Sequence, residues 1–400
     1  MNPDHLNPAV LVTGATGFIG RQVVRELIAR GCPVMAMARP QHGLSARDRV
    51  MKAVGLVPDE GPLEIIEADL TCPHSGLKPA TLRGLRKTVG TVIHCAGDTS
   101  FFPEDMRRFR SGHIDGPLAL LTSLRGGRLR HWGYLSTAYV CGKRSGTVLE
   151  EEGDVGQDFH NPYERVKLEA EIAMRAAGER LGVDVRVFRP SIVVGAAPET
   201  AGGQPSNLFF AFIQMMAALA RIPHAADTCL RIEAAPRARF NIVPVDYVAQ
   251  AMAVLAGHPD GAGKTFHLVV SEAPTQHTML ALIADYFGLH GVSLRHADGM
   301  PLDNPSPLER RVARMGSAYR EYLTQDVRFD DRAAGALLGR LCLPRPTLFA
   351  EDVRKMIALA LQGPAPRART DDEGVERLVH QRMTAWNGTT SSSSVAVPGD

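Results

Sequence analysis

The chain has no pair of cysteines in C-x-x-C spacing: Cys32, Cys72, Cys95, Cys141, Cys229 and Cys342 stand apart along 400 residues. This excludes the common zinc-ligand patterns and a disulfide framework, and the thiols read as reduced and mostly buried, as in a cytoplasmic protein. Neither sign of charge is in excess, with 45 Lys and Arg against 43 Asp and Glu, so no net field steers nucleic acid or an anionic membrane to the surface. No nucleic-acid module is present. No uninterrupted apolar run reaches membrane-spanning length, so no transmembrane segment is expected. The first ten residues, MNPDHLNPAV, lack the basic-then-apolar order of a secretory signal. A soluble cytoplasmic protein is expected, with oligomerisation left open.

What is present begins at residues 10–20, VLVTGATGFIG, a buried strand that turns through glycines into a helix. Gly14, Gly17 and Gly20 follow a G-x-x-G-x-x-G spacing. In a dinucleotide site the first glycine permits the tight turn, the second lets backbone approach a pyrophosphate, and the third lets the helix pack close to its strand. The helix N-terminus then offers free N–H groups and partial positive charge to the phosphates. Thr13, Thr16, Phe18 and Ile19, interleaved with these glycines, join them as candidate cofactor contacts.

A second strand over 34–38 ends on Arg39, at the position that meets the adenosine ribose. An acidic residue there binds the 2′-hydroxyl of NAD, whereas arginine suits the 2′-phosphate, so NADPH/NADP+ is the expected cofactor. A solvated surface arginine is the alternative. The third strand, 63–68, leads to Asp69 and Leu70, with Asp69 either accepting from the adenine amino group or capping a helix. The fourth, 91–96, ends on Ala96 and Gly97, where backbone approaches the cofactor closely. His94 within it reads as a packed core histidine.

A helical stretch over 104–124, broken near Gly116 and Pro117, precedes a fifth strand at 132–136 and a sixth at 183–188. The alternation predicts an α/β fold, a Rossmann-type doubly wound parallel sheet with a smaller, mostly helical C-terminal substrate domain. The dinucleotide-binding domain is expected over 8–195, with 240–270 returning to it and 196–362 forming the substrate-binding part. From 363 the composition turns polar, and the TTSSSS end is expected to be disordered.

Chemistry concentrates in YLSTAYVCG, 134–142, and in Tyr163-Glu-Arg-Val-Lys167. Residues four apart share one helix face, so the Lys167 ammonium can lie beside both the cofactor ribose and the Tyr163 phenol. A nearby cation favours the phenolate and brings the phenol toward a useful acid strength near neutrality. Thr137, at the end of the fifth strand, supplies a second hydrogen bond to the same substrate oxygen. Tyr163 and Lys167 thereby count both as catalytic candidates and as cofactor contacts.

TGATGFIG, HCAGDTSF, YLSTAYVCGKRSG, NPYERVKLEAE, VFRPSIVVG and FNIVPVDYVAQAM resemble the extended short-chain dehydrogenase/reductases, in the branch of fatty acyl-CoA reductases and thioester reductase domains. The resemblance implies that Gly14, Gly17, Gly20, Arg39 and Asp69 bind the cofactor and that Thr137, Tyr163 and Lys167 are catalytic. Ser136 is the competing hydroxyl, but counting back from Gly142 selects Thr137. Pro190 and Val193, matching the family's R-P segment, are either nicotinamide contacts or a plain strand end. The family's usual asparagine is replaced by His113, which puts a proton relay through that position in doubt.

The implied function is an NADPH-dependent reductase of a lipophilic acyl or carbonyl substrate, foremost an acyl thioester on CoA or a carrier protein. A ketone reductase on a hydrophobic small molecule, or a non-catalytic NADP(H) sensor, are the alternatives. The stretch SNLFFAFIQMMAALARI, 206–222, places Leu208, Phe209, Phe212, Met215, Met216 and Leu219 along one helical stripe. Such a stripe is either core or the lining of an acyl pocket.

Overall fold

Seven short apolar strands pair entirely in parallel: β1 (Ala9–Thr13), β2 (Val34–Ala38), β3 (Leu63–Glu67), β4 (Val89–His94), β5 (His131–Leu135), β7 (Asp184–Pro190) and β11 (Thr265–Leu268). Their order across the sheet is β11-β7-β5-β4-β1-β2-β3. The computed structural model describes residues 8–41, 43–55, 63–195, 208–222, 229–296 and 302–361. The polar tail expected beyond 363 lies outside the described residues.

A parallel sheet must be covered on both faces. Helices α1 (Gly20–Ala29) and α8 (Val245–Leu255) cover one face, where Val23, Val24 and Leu27 pack with Val248, Met252 and Leu255. On the other face Leu120 and Leu121 of α5 (Gly116–Ser123) and Ala170, Met174 and Ala177 of α6 (Pro162–Leu181) pack against Leu11, Val92 and Trp132. Strand order reverses between β1 and β4. A crevice at the carboxyl ends of the strands follows from that reversal, and it is where α/β sheets of this kind bind ligands.

The helical stretch expected over 104–124 does not break. It runs from α4 (Met106–Arg110) through a wide, π-type turn at Ser111–Asp115 into α5. Pro117 has no N–H to donate one turn back, and the widened turn absorbs that gap.

Among the described residues, three further parallel pairs of short strands lie outside this sheet. β8 (Ile192–Val194) pairs with β10 (Ile242–Pro244), and β9 (Leu230–Ala234) with β12 (Val292–His296). Likewise β6 (Gly146–Val148) pairs with β13 (Val327–Phe329). A separate apolar cluster joins α7 (Leu208–Leu219), α9 (Gln276–Tyr286) and α13 (Ala350–Leu361) through Phe209, Ile213, Met216, Met279, Ile283 and Ile357. The chain also returns to the sheet late: Ala334, Leu337 and Leu338 of α12 (Arg332–Arg340) are part of the core above β11. Among the described residues no helix is long and apolar enough to cross a membrane.

Candidate active site

Each glycine of the first turn meets a different constraint. Gly14 has φ +68°, and a Cβ there would sit 2.6 Å from the Ala96 nitrogen, so the ends of β1 and β4 approach as only glycine allows. At Gly20 a Cβ would lie 2.2 Å from the Gly14 carbonyl oxygen, which closes α1 onto its strand. Gly17 meets nothing nearer than that same carbonyl at 3.1 Å, leaving its outer face open. The N–H groups of Phe18 and Ile19 enter no backbone hydrogen bond among the described residues. A bare cradle with unused donors at a helix N-terminus fits a pyrophosphate. Thr13 steadies its floor, its hydroxyl bonded to His94 Nδ1 at 2.9 Å and accepting from Ala96 N–H at 3.3 Å. His94 is fully buried, and burial holds its imidazole neutral, consistent with a core histidine.

Arg39 lies 3.7 Å from Asp69, and both are partly exposed. Asp69 caps no helix: it accepts from Thr71 N–H at 2.9 Å and from the Thr71 hydroxyl at 2.7 Å, a local turn. Burial works against ionisation, but those bonds and Arg39 hold its carboxyl below the usual range. The sequence reading missed Arg49. From α2 (Ala46–Val54) it donates to the Arg39 carbonyl at 2.5 Å and reaches the Thr16 hydroxyl at 3.4 Å, which places two guanidinium groups at the tip of β2. Leu70 packs under α5, its carbonyl so close that a Cβ on Gly116 would lie 2.6 Å away. Pro190 ends β7 opposite Leu268, and Val193 is buried in the core beside Val243 and Val245.

Helix α6 carries the remaining candidates and has full start and stop signals. Asn161 caps it by accepting from Glu164 N–H at 3.1 Å, Pro162 begins it, and Gly182 with φ +67° ends it. Lys167 is buried and donates to the Leu135 carbonyl at 2.6 Å and the Tyr134 hydroxyl at 3.1 Å, its ammonium lying over the Tyr134 ring. Burial lowers its pKa to about 7, opposed by Glu171 and Cys95. Tyr163 is half-buried among Phe101 and His113, with ring centroids 6.2 and 6.1 Å away.

The expected lowering of the Tyr163 pKa does not occur. Burial, then Glu164 and Asp98, push the phenol above its ordinary value. The phenol therefore stays protonated.

The two candidate hydroxyls at the end of β5 have separate fates. Ser136 donates to Glu171, and Glu171 is in turn paired with Arg189 through two bonds, at 3.1 and 2.7 Å, all three residues being buried. Thr137 accepts only from Tyr139 N–H, at 3.2 Å. Its hydroxyl proton and that of Tyr163 have no acceptor among the described residues. Gly142 is required just beyond, since it has φ +61° and a Cβ there would overlap the Asp158 carbonyl at 2.0 Å. The Glu171–Arg189 pair was legible only as K-x-x-x-E on the Lys167 face and as the arginine before Pro190.

The apolar stripe divides as well. Phe209, Ile213 and Met216 are core, whereas Phe212 lines a narrow apolar cleft of about 20 Å³ with Ile232, Phe240, Met279, Leu280 and Leu323. Met216, on the stripe left open between core and pocket lining, is fully buried in packing.

Against known proteins, residues 12–252 match the family model of the male sterility protein, an NAD-binding family. The chain belongs to that family. It is thus an extended short-chain dehydrogenase/reductase of the thioester reductase-like branch and an NAD(P)-dependent oxidoreductase. A carboxylic acid reductase of Mycobacterium marinum (strain ATCC BAA-535 / M) is 24% identical over 285 residues, 65% of this chain but only 24% of that protein. The chain thus spans about a quarter of the length of that relative. Among solved structures, the terminal R domain from the myxalamid PKS-NRPS pathway superposes with a TM-score of 0.70 at 21% identity, covering 88% of this chain and 90% of that one. A thiolation-reductase di-domain from an archaeal non-ribosomal peptide synthetase gives 0.67 at 19% identity, covering 88% and 75%. These structural likenesses establish the fold.

Proposed function

We propose that the protein reduces the carbonyl carbon of an acyl thioester, carried on CoA or on a carrier protein, with NADPH as reductant. The observation that carries this reading is the pair of uncommitted hydroxyls, Thr137 and Tyr163, beside a buried lysine, while the neighbouring Ser136 is committed to Glu171. When bound, the dinucleotide supplies the hydride. The residues Gly14, Gly17 and Gly20 with the open N–H groups of Phe18 and Ile19 would hold its pyrophosphate, and Arg39 with Arg49 the 2′-phosphate.

Thr137 and Tyr163 donate to the carbonyl oxygen and stabilise the oxyanion as the carbon becomes tetrahedral. Tyr163 suits the donor role because its surroundings keep the phenol protonated. Lys167 is held under the site by Leu135 and Tyr134, from where its ammonium would bind the ribose hydroxyls of the dinucleotide. Departure of the thiol from the resulting hemithioacetal leaves an aldehyde, which the same donors can serve in a second reduction. The narrow apolar cleft beside Phe212 and Leu323, with room for about one water as it stands, would have to widen to take the acyl tail.

Supporting a carrier-bound donor, the related archaeal structure joins a thiolation unit to its reductase. The test is NADPH oxidation by the purified protein against acyl-CoA, acyl-carrier, aldehyde and ketone substrates. Turnover of thioesters with release of free thiol is expected. Turnover confined to ketones overturns the proposal.

A further inference from the structure

The last part of the chain reaches back to the N-terminus of α6, the turn on which Tyr163 sits. Helix α11 (Arg320–Thr324) places the Tyr322 hydroxyl between two side chains of that turn. It accepts from Asn161 Nδ2 at 2.6 Å and donates to a Glu164 carboxylate oxygen. Asn161 is the helix cap and Glu164 follows Tyr163 directly, so one hydroxyl from 158 residues away bridges the residues on either side of the phenol. Glu164 is fully buried, and its charge is met by His160 N–H at 2.9 Å, the His160 ring at 3.0 Å and Tyr322.

The Tyr322 ring is fixed as firmly as its hydroxyl. It stacks on His160 at 4.5 Å and on Phe101 at 5.8 Å, and Phe101 in turn lies 6.2 Å from Tyr163. On the next residue of the same short helix, Leu323 lines the apolar cleft. Lys143, just past the Thr137 loop, pairs with Glu321 at 2.9 Å and anchors α11 from the other side.

We infer that Tyr322 is a positioning residue for Tyr163, setting the phenol's direction through Asn161, Glu164 and Phe101. The inference rests on the proposed role of Tyr163 as proton donor. Its cause is geometric: Asn161 and Glu164 flank the first turn of α6, and a turn released from Tyr322 lets the phenol swing away from the substrate oxygen. Small misplacements of a reacting group are costly, reaching about 100-fold for an ångström.

The test compares Tyr163→Phe, Tyr322→Phe and Asn161→Ser in the full chain, with kcat, KM, NADPH affinity and melting temperature measured for each. Serine keeps a capping oxygen for Glu164 N–H and removes only the donor to Tyr322, so it reads the same link should Tyr322→Phe fold poorly. The expected result for both linking variants is a kcat lowered at least about tenfold, with KM and NADPH affinity unchanged and Tm within about 2 °C. Unchanged kcat in folded Tyr322→Phe and Asn161→Ser, with or without a lower Tm, makes Tyr322 a structural contact and overturns the inference. A raised KM at unchanged kcat also overturns it, because Tyr322 would then bind substrate directly. Full turnover by Tyr163→Phe is a different failure, that of the proposed function itself.

Discussion

Raising the pH above neutrality is expected to loosen the cofactor, because the buried Lys167 loses its proton there. Desolvation lowers its pKa from 10.5 to about 7, with Glu171 and Cys95 acting in the opposite sense. Ribose hydroxyls accept from an ammonium better than from a neutral amine, so the bound state favours the charged form and carries a pKa above 7. Above pH 7 binding therefore takes up a proton, and Kd rises by up to about tenfold per pH unit until the bound-state pKa is reached. Below pH 7 affinity is flat.

The folding equilibrium has the opposite sign. A lysine whose folded pKa lies below its unfolded value costs stability while charged, about 5 kcal/mol for the full shift, and that cost fades as pH rises from 7 toward 10.5. Weaker binding at high pH thus cannot come from this group unfolding the protein. The assay is a fluorescence titration of NADPH and NADH from pH 6.5 to 9, a window above the phosphate pKa near 6. Lys167→Met should bind weakly with no pH dependence. A flat Kd in the unmutated protein, or an equal slope in Lys167→Met, refutes the reasoning.

Arg39→Ala and Arg49→Ala are each expected to narrow the preference for NADPH over NADH by roughly 1.5 to 3 kcal/mol, through loss of charge-assisted bonds to the 2′-phosphate. Equal dissociation constants in the unmutated protein remove the basis for both. Glu171→Gln leaves the buried Arg189 guanidinium without its counter-ion and should lower stability by about 3 to 5 kcal/mol in denaturant titration; a loss under about 1 kcal/mol would show the pair to be expendable. Met216→Ala should cost about 2 to 5 kcal/mol as a core cavity without altering substrate preference, whereas Phe212→Ala should shift chain-length preference in kcat/KM by about 1 to 3 kcal/mol. The reverse assignment of the two effects would place the acyl tail elsewhere.

The parallel sheet was legible because each strand is short, apolar and followed by a turn or helix signal, and because the glycine turn marks its first crossover. Lys167 and Tyr163 were singled out by their helical spacing together with the glycine turn and the Ser-Thr strand end that precede them. The substrate side was harder to read, for physical reasons. Leu230, Ile232 and Ala234 alternate with Arg231 and Glu233, a half-buried strand pattern that fell between longer helical runs and was passed over. Three-residue strands such as β6 and β13 carry too little pattern to register, since their pairing is fixed by contacts across more than 170 residues. Arg49 escaped notice because it lies mid-helix, with nothing in its neighbours to show that its guanidinium folds back to Arg39. Tyr322 has the same difficulty: its partners Asn161 and Glu164 are distant in sequence and its own segment, REYLT, reads as an ordinary polar helix.

His113 shows how a departure from the family pattern is resolved by packing. Its ring fills the space over Gly97, where a Cβ would lie 2.7 Å from Cε1, and Nε2 sits 2.8 Å from the Asp98 carbonyl. A carbonyl only accepts, so the Nε2 position carries the proton and Nδ1 presents a lone pair, buried and without a partner among the described residues. Burial, with Lys167 adding to it, lowers the imidazole pKa to about 4, so the ring is neutral throughout the range in which Lys167 titrates. Its one proton is donated to the Asp98 carbonyl. His113 thus packs over the Gly97 backbone and is tied to the Asp98 carbonyl by one hydrogen bond.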